Sequence, residues 1–461
     1  MTFKLFSAAL IAAMGGLLFG FDTAVISGAE GTLESLYGLN SFWHGVLVSS
    51  ALIGTVIGAM VVGIPADALG RRKVLFGIAV FYFVSAVGSA LAWDSYSFMF
   101  FRFLGGLAVG GASVVSPMYT AEISPARFRG RLVALTQFNI VLGILLAFLS
   151  NYLIAQCNLG EIEWRWMFGV EAFPAFAFFF LLVLTPRSPR WLISKGRVDE
   201  ARGVFESLGA IDTDTVDEEI EEIQASLDLA HHSMREPFFR KAYLKPILLV
   251  VAIAMFNQLS GINALMYYAV RIFKMTGATG DVALLSSVAV GFTNLVFTMA
   301  ALLIIDHFGR KRLMLVGSIG YIISLSVTAW AFFAFGAQTL GKDGKTMETV
   351  LSDPGGTIVL ISLLVFIASH AFGQGAVIWV FISEIFPNRL RARGQALGSS
   401  THWIMAAAIS TTFPMFAEAS GGFTFAFYAA CMVLQLGWVI FIMPETKGVP
   451  LEKIQQEMGI E

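Results

Sequence analysis

Residues 63–73 read GIPADALGRRK and residues 306–312 read DHFGRKR. Each follows a long apolar run and has one skeleton: an acid (Asp67, Asp306), two residues, a glycine, then two basic residues beginning at Arg71 and Arg310. Farther on, EISPARFRG at 122–130 and EIFPNRLRARG at 384–394 each set a glutamate seven residues before an arginine, Glu122 with Arg129 and Glu384 with Arg391. Loop signatures that recur in the same order after matching apolar runs argue for an internal duplication. The two motifs lie farther apart in the second half than in the first, which marks inserted residues; the Gly/Asp/Lys-rich stretch 337–356 is the place for them.

The apolar runs read as membrane spans. Of the 461 residues, 57% are hydrophobic and only 13% charged, and the mean hydropathy is +0.75. Soluble domains are about 45–50% apolar and about 25% charged, so the excess faces lipid. A membrane helix needs about 20 apolar residues. Twelve segments supply them, near 6–28, 45–66, 74–93, 98–118, 132–155, 166–185, 244–271, 282–305, 313–336, 357–380, 395–417 and 423–443. The first follows Lys4, but it is too long for a signal peptide, lacks a small-residue cleavage site and carries Asp22, so it counts as span one. A formal net charge of -2 gives no sign of a nucleic-acid partner. Cys157 and Cys431 offer at most one bridge and show no metal-ligand spacing, and neither metal nor cofactor is expected.

One set of short loops holds Arg71, Arg72 and Lys73; Arg127, Arg129 and Arg131; Arg310, Lys311 and Arg312; and Arg389, Arg391 and Arg393. The opposite set holds chiefly Lys274, Lys342 and Lys345, with Arg165 and Arg271 at span edges. The positive-inside rule places the first set and both termini in the cytoplasm. The longest polar stretch divides the chain into a six-helix bundle at 1–185, a linker at 186–243, a second six-helix bundle at 244–443 and a short tail at 444–461. Within the linker, Val198, Ala201, Phe205 and Leu208 fall at helical spacing before Gly209, and Val216, Ile220, Ile223 and Leu227 form a second stripe. Both predict short amphipathic cytoplasmic helices, with the acidic run 217–222 as a solvated face.

These motifs, together with SPRWL at 188–192 and PETKG at 444–448, resemble the sugar porter family of the major facilitator superfamily, and the resemblance covers essentially the whole chain. It implies an all-α membrane protein of two six-helix bundles that exposes one central site alternately to either side of the membrane; the compact loops and short tail suggest the bacterial inner (plasma) membrane, and a monomer is the expected working unit. The resemblance also implies transport of a monosaccharide, pentose or hexose. One departure is Arg187 in TPRSPRWL, where the family usually has Glu.

A charge near the bilayer centre costs at least about 2.5–3.5 kcal/mol on insertion scales, which makes Asp22 in GGLLFGFDTAVISG (15–28) a functional candidate in need of a partner. Span one runs outward and span four inward, so Asp22 and Arg102 (in FMFFRFLGG) lie at depths matching within roughly 5 Å at 1.5 Å per residue. By resemblance, proton-coupled members carry Asp and Arg at these positions, whereas several facilitative members have Asn in place of Asp. The pair therefore reads as the proton-coupling site, with a static brace between spans one and four as the alternative.

A sugar needs neutral amides and aromatic surface. Span seven offers Asn257, Gln258 and Asn263 in FNQLSGINALMYYA. Gln258 and Asn263 are about 140° apart on an ideal helix, so they converge only if the helix unwinds near Ser260 and Gly261, as transporter helices do at mid-membrane sites. The resemblance implies that Gln258, Asn263, Asn294 and Gln137 bind sugar and that Trp379 lines the cavity. It implies that Tyr267 and Tyr268 form an outer lid. Asn257 departs from the family's frequent glutamine pair, and His402, before Trp403, stands where well-known members carry Asn or Gln. Phe19 is a candidate for the cavity floor and His370 for its wall.

The repeated loops set Asp67, Arg71, Glu122 and Arg129 at the cytoplasmic end of one bundle and Asp306, Arg310, Glu384 and Arg391 at that of the other, the makings of a latch that parts when the site opens inward. No nucleophile–base constellation or phosphate loop points to an enzyme. The expected function is import of a monosaccharide with a proton by alternating access. A facilitative uniporter is the alternative, and a sugar receptor, which in this family carries a long signalling tail, a more distant one.

Overall fold

The computed structural model describes residues 2–209, 216–233, 238–340, 347–387 and 390–447. Of the residues singled out above, Lys342, Lys345, Arg389 and Gly448 lie outside these, as do the side chains of Leu227 and Asp306. Among the described residues, eleven helical segments are long and apolar enough to cross a membrane. Spans one to five are Phe3–Tyr37, Ser41–Val61, Arg71–Ala90, Ser95–Ile123 and Ala126–Gln156. Span six is broken into Glu163–Gly169 and Ala172–Leu181. Span seven comprises Leu244–Leu259 and Ile262–Tyr267, continued by Ala269–Met275. Spans eight and nine are Gly280–Phe308 and Arg310–Phe335; ten is Gly355–Phe372 with Gln374–Glu384; twelve is Gly421–Phe441. The expected span eleven is the helix Arg391–Ala419, whose 29 residues suffice in length but whose Gln395, Ser399, Ser400, Thr401 and His402 make it less apolar.

Span one outruns its expected end at 28 and continues to Tyr37. Its last turns carry Glu30 and Glu34, which hydropathy reads as loop but which the fold pairs with His44 and Arg271. The stretch 337–356 contains an unexpected pair of antiparallel strands, Gly336–Leu340 and Met347–Leu351, with Gln338 opposite Thr349.

The chain forms two compact units. The first comprises Met1–Asp22, Ala51–Ile144 and Phe168–Pro237. Its core includes Leu75, Tyr82, Val115, Tyr119 and Phe178. Spans two and four meet here through glycines four residues apart. A Cβ on Gly54 or Gly58 would lie 2.2 and 2.4 Å from the carbonyl oxygens of Phe103 and Leu107, and one on Gly106 or Gly110 would lie 1.9 and 2.2 Å from those of Ala51 and Thr55. Small residues permit this approach, and close packing replaces the hydrophobic effect that lipid cannot supply.

The linker belongs to this unit and forms helices Pro189–Ser194, Val198–Leu208 and Val216–Ser233. Ser188 caps the first, accepting from Trp191 N at 3.1 Å. Gly209, at φ 54°, ends the second in the left-handed conformation that glycine tolerates. The expected stripes pack together: Ala201, Phe205, Val216 and Ile220 are buried with Trp191, Leu192 and Ile193. Leu208 joins the membrane core of the unit. Asp217, Glu218, Glu221 and Glu222 are exposed, and the Arg202 guanidinium hydrogen-bonded to Asp217 holds that carboxyl below the usual carboxylate range.

The second unit comprises Thr23–Ser50, Leu145–Met167 and Phe238–Glu461. It therefore takes in the ends of spans one and five and the starts of spans two and six, those remote from the basic loops, rather than stopping at the boundary of the sequence halves. A Cβ on Gly45 would lie 1.9 Å from Thr411 O, Thr411 Oγ1 donates to Ser49 Oγ at 2.7 Å, and Asn151 Nδ2 donates to Val25 O at 2.9 Å.

Because a side chain on Gly106 would strike backbone, Gly106→Val lowers the melting temperature of detergent-purified protein sharply or prevents its recovery. Gly77→Ala, with nothing within 4 Å of the added carbon, leaves melting within a degree or two, since an open site requires no repacking. Equal melting of the two variants would contradict the glycine contact.

Candidate functional site

The carboxylate of span one is buried. Asp22 is 2% exposed and Arg102 1%. Arg102 Nη1 donates to Asp22 Oδ1, and Nη2 donates to the Asp22 backbone oxygen at 3.0 Å. The guanidinium lies over the Phe168 ring, 5.4 Å from its centroid. Gly105 leaves the room: a Cβ there would lie 3.3 Å from Asp22 Oδ1 and 2.3 Å from Ser85 Oγ. Gly20 lets span one approach span five, since its Cβ would fall 1.9 Å from Ile140 O. One further acid joins the pair. Glu171, at the break in span six, is 1% exposed, has an unpartnered Oε1 and interacts electrostatically with both Asp22 and Arg102. It is not among the expected residues, although the rule that marks Asp22, an acid inside an apolar run, marks Glu171 equally.

Span seven breaks where the amide spacing requires. Its first helix ends at Leu259, Ser260 Oγ donates to Asn257 O at 2.6 Å, and Gly261 takes φ +85° before a new helix starts at Ile262. The break brings the amides together. Asn263 Nδ2 donates to Gln258 Oε1 at 2.9 Å, and Gln258 Nε2 donates to Asn257 Oδ1 at 3.0 Å and lies 3.2 Å from His402 Nε2. The His402 ring stands 5.2 Å from that of Trp379 and edge-on to Trp403 at 4.8 Å. Gln258 and Asn257 are buried, whereas Trp379 is 38% exposed. The result is a row of amides and imidazole beside an indole face, with donors and acceptors in equal supply.

The other expected residues make contacts of their own. Asn294 accepts from Thr298 one turn along span eight, at 3.4 Å. Gln137, half-buried, and Phe19, packed on the core cluster, belong to the first unit. His370 Nδ1 is 2.6 Å from Tyr321 Oη, which also donates to Gln374 Oε1 at 3.3 Å, next to the break at Gly373 in span ten. Tyr267 and Tyr268 are buried; Tyr268 Oη donates to Ser410 O at 2.9 Å and its ring stacks on Phe413 at 4.8 Å.

A second polar cluster is also unanticipated. Glu30 Oε2 is 2.8 Å from His44 Nε2 and 3.3 Å from Arg271 Nε. Arg271 Nη2 pairs with Glu34, whose other oxygen is 3.5 Å from His44 Nδ1. The cluster ties spans one, two and seven together. The ligating atoms of Glu30, Glu34 and His44 lie within 4.8 Å of one another, but Arg271 already supplies the cation that both carboxylates need.

In the basic loops the repeats are geometrically alike. Arg71 Nε donates to Glu122 at 3.0 Å and Nη1 to Asp67 at 3.0 Å; Arg310 grips Glu384 at 2.8 and 3.1 Å. Ser188 Oγ donates to Glu122 as Thr446 Oγ1 does to Glu384. Arg129 differs from expectation: it donates to Ala121 O and Ser124 O, carbonyls that the last turn of span four leaves open. Arg391 makes no ion pair among the described residues, and its Nε is buried without a partner.

The family described as sugar (and other) transporter matches residues 8–458. The chain is 37% identical to a glucose transport protein of Synechocystis sp., covering 96% of this chain and 95% of that protein. It is 36% identical to a D-xylose-proton symporter of Escherichia coli (98% and 95%) and 35% identical to an arabinose-proton symporter of Bacillus subtilis (96% and 93%). Among solved structures it resembles the E. coli xylose transporter XylE in a partially occluded inward-open conformation, with a TM-score of 0.84 at 34% identity over 97% of this chain and 100% of that one. For XylE bound to 6-bromo-6-deoxy-D-glucose the TM-score is 0.79 at 35% identity, over 99% of each chain. Duplicated loops, broken spans and these likenesses agree: the chain belongs to the sugar transporter family and has the major facilitator fold.

Proposed function

We propose that this protein moves a monosaccharide and a proton together across the bacterial inner membrane by alternating access, with both termini in the cytoplasm. The observation that carries the proton half is the dry Asp22–Arg102 pair. A buried pair is stable only while both charges are present. When the proton arrives, Asp22 no longer holds Arg102, and spans one and four are free to repack; when Arg102 returns, the proton leaves. The relatives named as proton symporters support this reading. A proton driven inward gains about 2.3 kcal/mol per 100 mV, enough for tens-fold accumulation of sugar.

The sugar half rests on the amide row. Gln258 and Asn263 exchange their mutual hydrogen bond for sugar hydroxyls, Asn257 and His402 hold Gln258 in place, and Trp379 offers its exposed face to the apolar side of the ring. Glu30, Glu34, His44 and Arg271 brace spans one, two and seven on the side away from the cytoplasm. The arginines of the repeated loops hold acids of their own repeats, Arg71 with Asp67 and Glu122 and Arg310 with Glu384, and these cytoplasmic clusters serve as the latch that loosens in each cycle.

Asp22→Asn abolishes uphill sugar accumulation in proteoliposomes but retains sugar counterflow; full accumulation by this variant would leave the pair a static brace and place proton coupling at another group. Gln258→Ala raises the half-saturating concentration of the preferred sugar at least about fivefold, the worth of one neutral hydrogen bond of about 1 kcal/mol. A counterflow panel of xylose, glucose, galactose, fructose and arabinose reads both the preference and the shift, and an unchanged panel would remove Gln258 from the site.

A further inference from the structure

The N-termini of spans three and nine follow the same template, with one reversal. Span nine starts after Gly309 (φ 89°, ψ 157°), and the Glu445 carboxylate accepts from the backbone N–H of Arg310 at 2.9 Å and of Lys311 at 3.1 Å. A carboxylate there satisfies donors that the first turn leaves open and meets the positive end of the helix dipole. Span three starts after Gly70 with nearly the same backbone (φ 92°, ψ 150°). Matching Ser188 to Thr446, whose hydroxyls donate to Glu122 and Glu384, sets Arg187 where Glu445 stands. A guanidinium has no acceptor. Among the described residues no distant carboxylate accepts from the first-turn N–H groups of span three as Glu445 does in span nine, and beside that turn lies a cavity of about 220 Å³ lined by Gly70, Arg71, Arg72, Lys73, Arg187 and Trp191.

The cavity carries excess positive charge. Arg71 is met by Asp67 and Glu122, but Arg72 spends its donors on the carbonyls of Leu182 and Val183, at 3.2 and 2.8 Å. Among the described residues the one acid that Arg187 meets is Glu200 at 3.5 Å, a carboxylate shared with Arg197. We propose that this cavity is a binding site for a phosphate-type anion, supplied as the headgroup of an anionic phospholipid or as free phosphate. The anion lies in the cavity beside the Trp191 ring, which packs against Gly70 as the Glu445 carboxylate packs against Gly309 in the other half. The first-turn N–H groups and the guanidinium fork of Arg187 suit tetrahedral oxyanions, and basic recesses at the cytoplasmic ends of spans are where headgroups dock.

The test uses the full chain purified in neutral detergent, with melting followed at constant ionic strength against inorganic phosphate and, separately, against short-chain phosphatidylglycerol with phosphatidylcholine as reference. The wild-type protein is stabilised by phosphate, by phosphatidylglycerol or by both, and not by phosphatidylcholine; which of the two acts identifies the source. Arg187→Glu, which restores a carboxylate cap, weakens the response at least about tenfold, the worth of one charge-assisted hydrogen bond, while melting no lower than wild type without ligand. Arg187→Gln gives the same readout if the first variant fails to fold. A wild-type protein indifferent to both anions, or a variant responding as wild type does, would overturn the site.

Discussion

Two opposite charges in a dry interior constrain this molecule more than any other contact. Burying Asp22 and Arg102 forfeits several kcal/mol of hydration per ion, which only close, well-oriented pairing offsets. The surroundings provide that closeness. Gly20 draws span one onto span five, Gly105 clears the space for the carboxylate, and Phe168 lays its ring beneath the guanidinium. Glu171 adds a second buried carboxyl group beside one arginine, its Oε1 unpartnered, so the site holds more acid groups than one guanidinium can neutralise. On the proposed reading, that imbalance is what makes a proton welcome.

The same economy of polar groups shapes the rest of the fold. Span seven sacrifices helical hydrogen bonds at Gly261 and in return aligns Asn257, Gln258, Asn263 and His402. Span one stays helical past its apolar run because Arg271 and His44 receive Glu30 and Glu34. Where the chain has no polar group to match, it brings backbone to backbone through glycine, as between spans two and four. The polar side chains of these clusters thus find partners within the protein, as a solvent that cannot hydrogen-bond demands.

Much of this was legible in the residues. A lone acid in an apolar run announced itself, and helical depth counting found its arginine. The awkward angle between Gln258 and Asn263 foretold the break. The linker stripes and Gly209 read correctly because amphipathic periodicity is a local signal. Other features needed coordinates. Glu30 fell just beyond the apolar window, so its burial depended on His44 and Arg271, distant in sequence. Glu171 obeyed the rule that marked Asp22, but only the structure joins it to that pair. The strands Gly336–Leu340 and Met347–Leu351 pair with each other, a contact that no periodicity in the sequence announces. The capping role of Glu445, and so the meaning of Arg187 at the equivalent place, appears only when backbone N–H groups are located.

The most direct measurement follows protons rather than sugar. Sealed vesicles containing the purified protein and a pH-sensitive dye receive a pulse of the preferred sugar with no imposed pH gradient. If Asp22 carries a proton in each cycle, sugar entry acidifies the lumen, in proportion to the sugar taken up. Sugar entering the vesicles while the dye stays unchanged would mean that the buried pair transports nothing and serves only to hold two helices together.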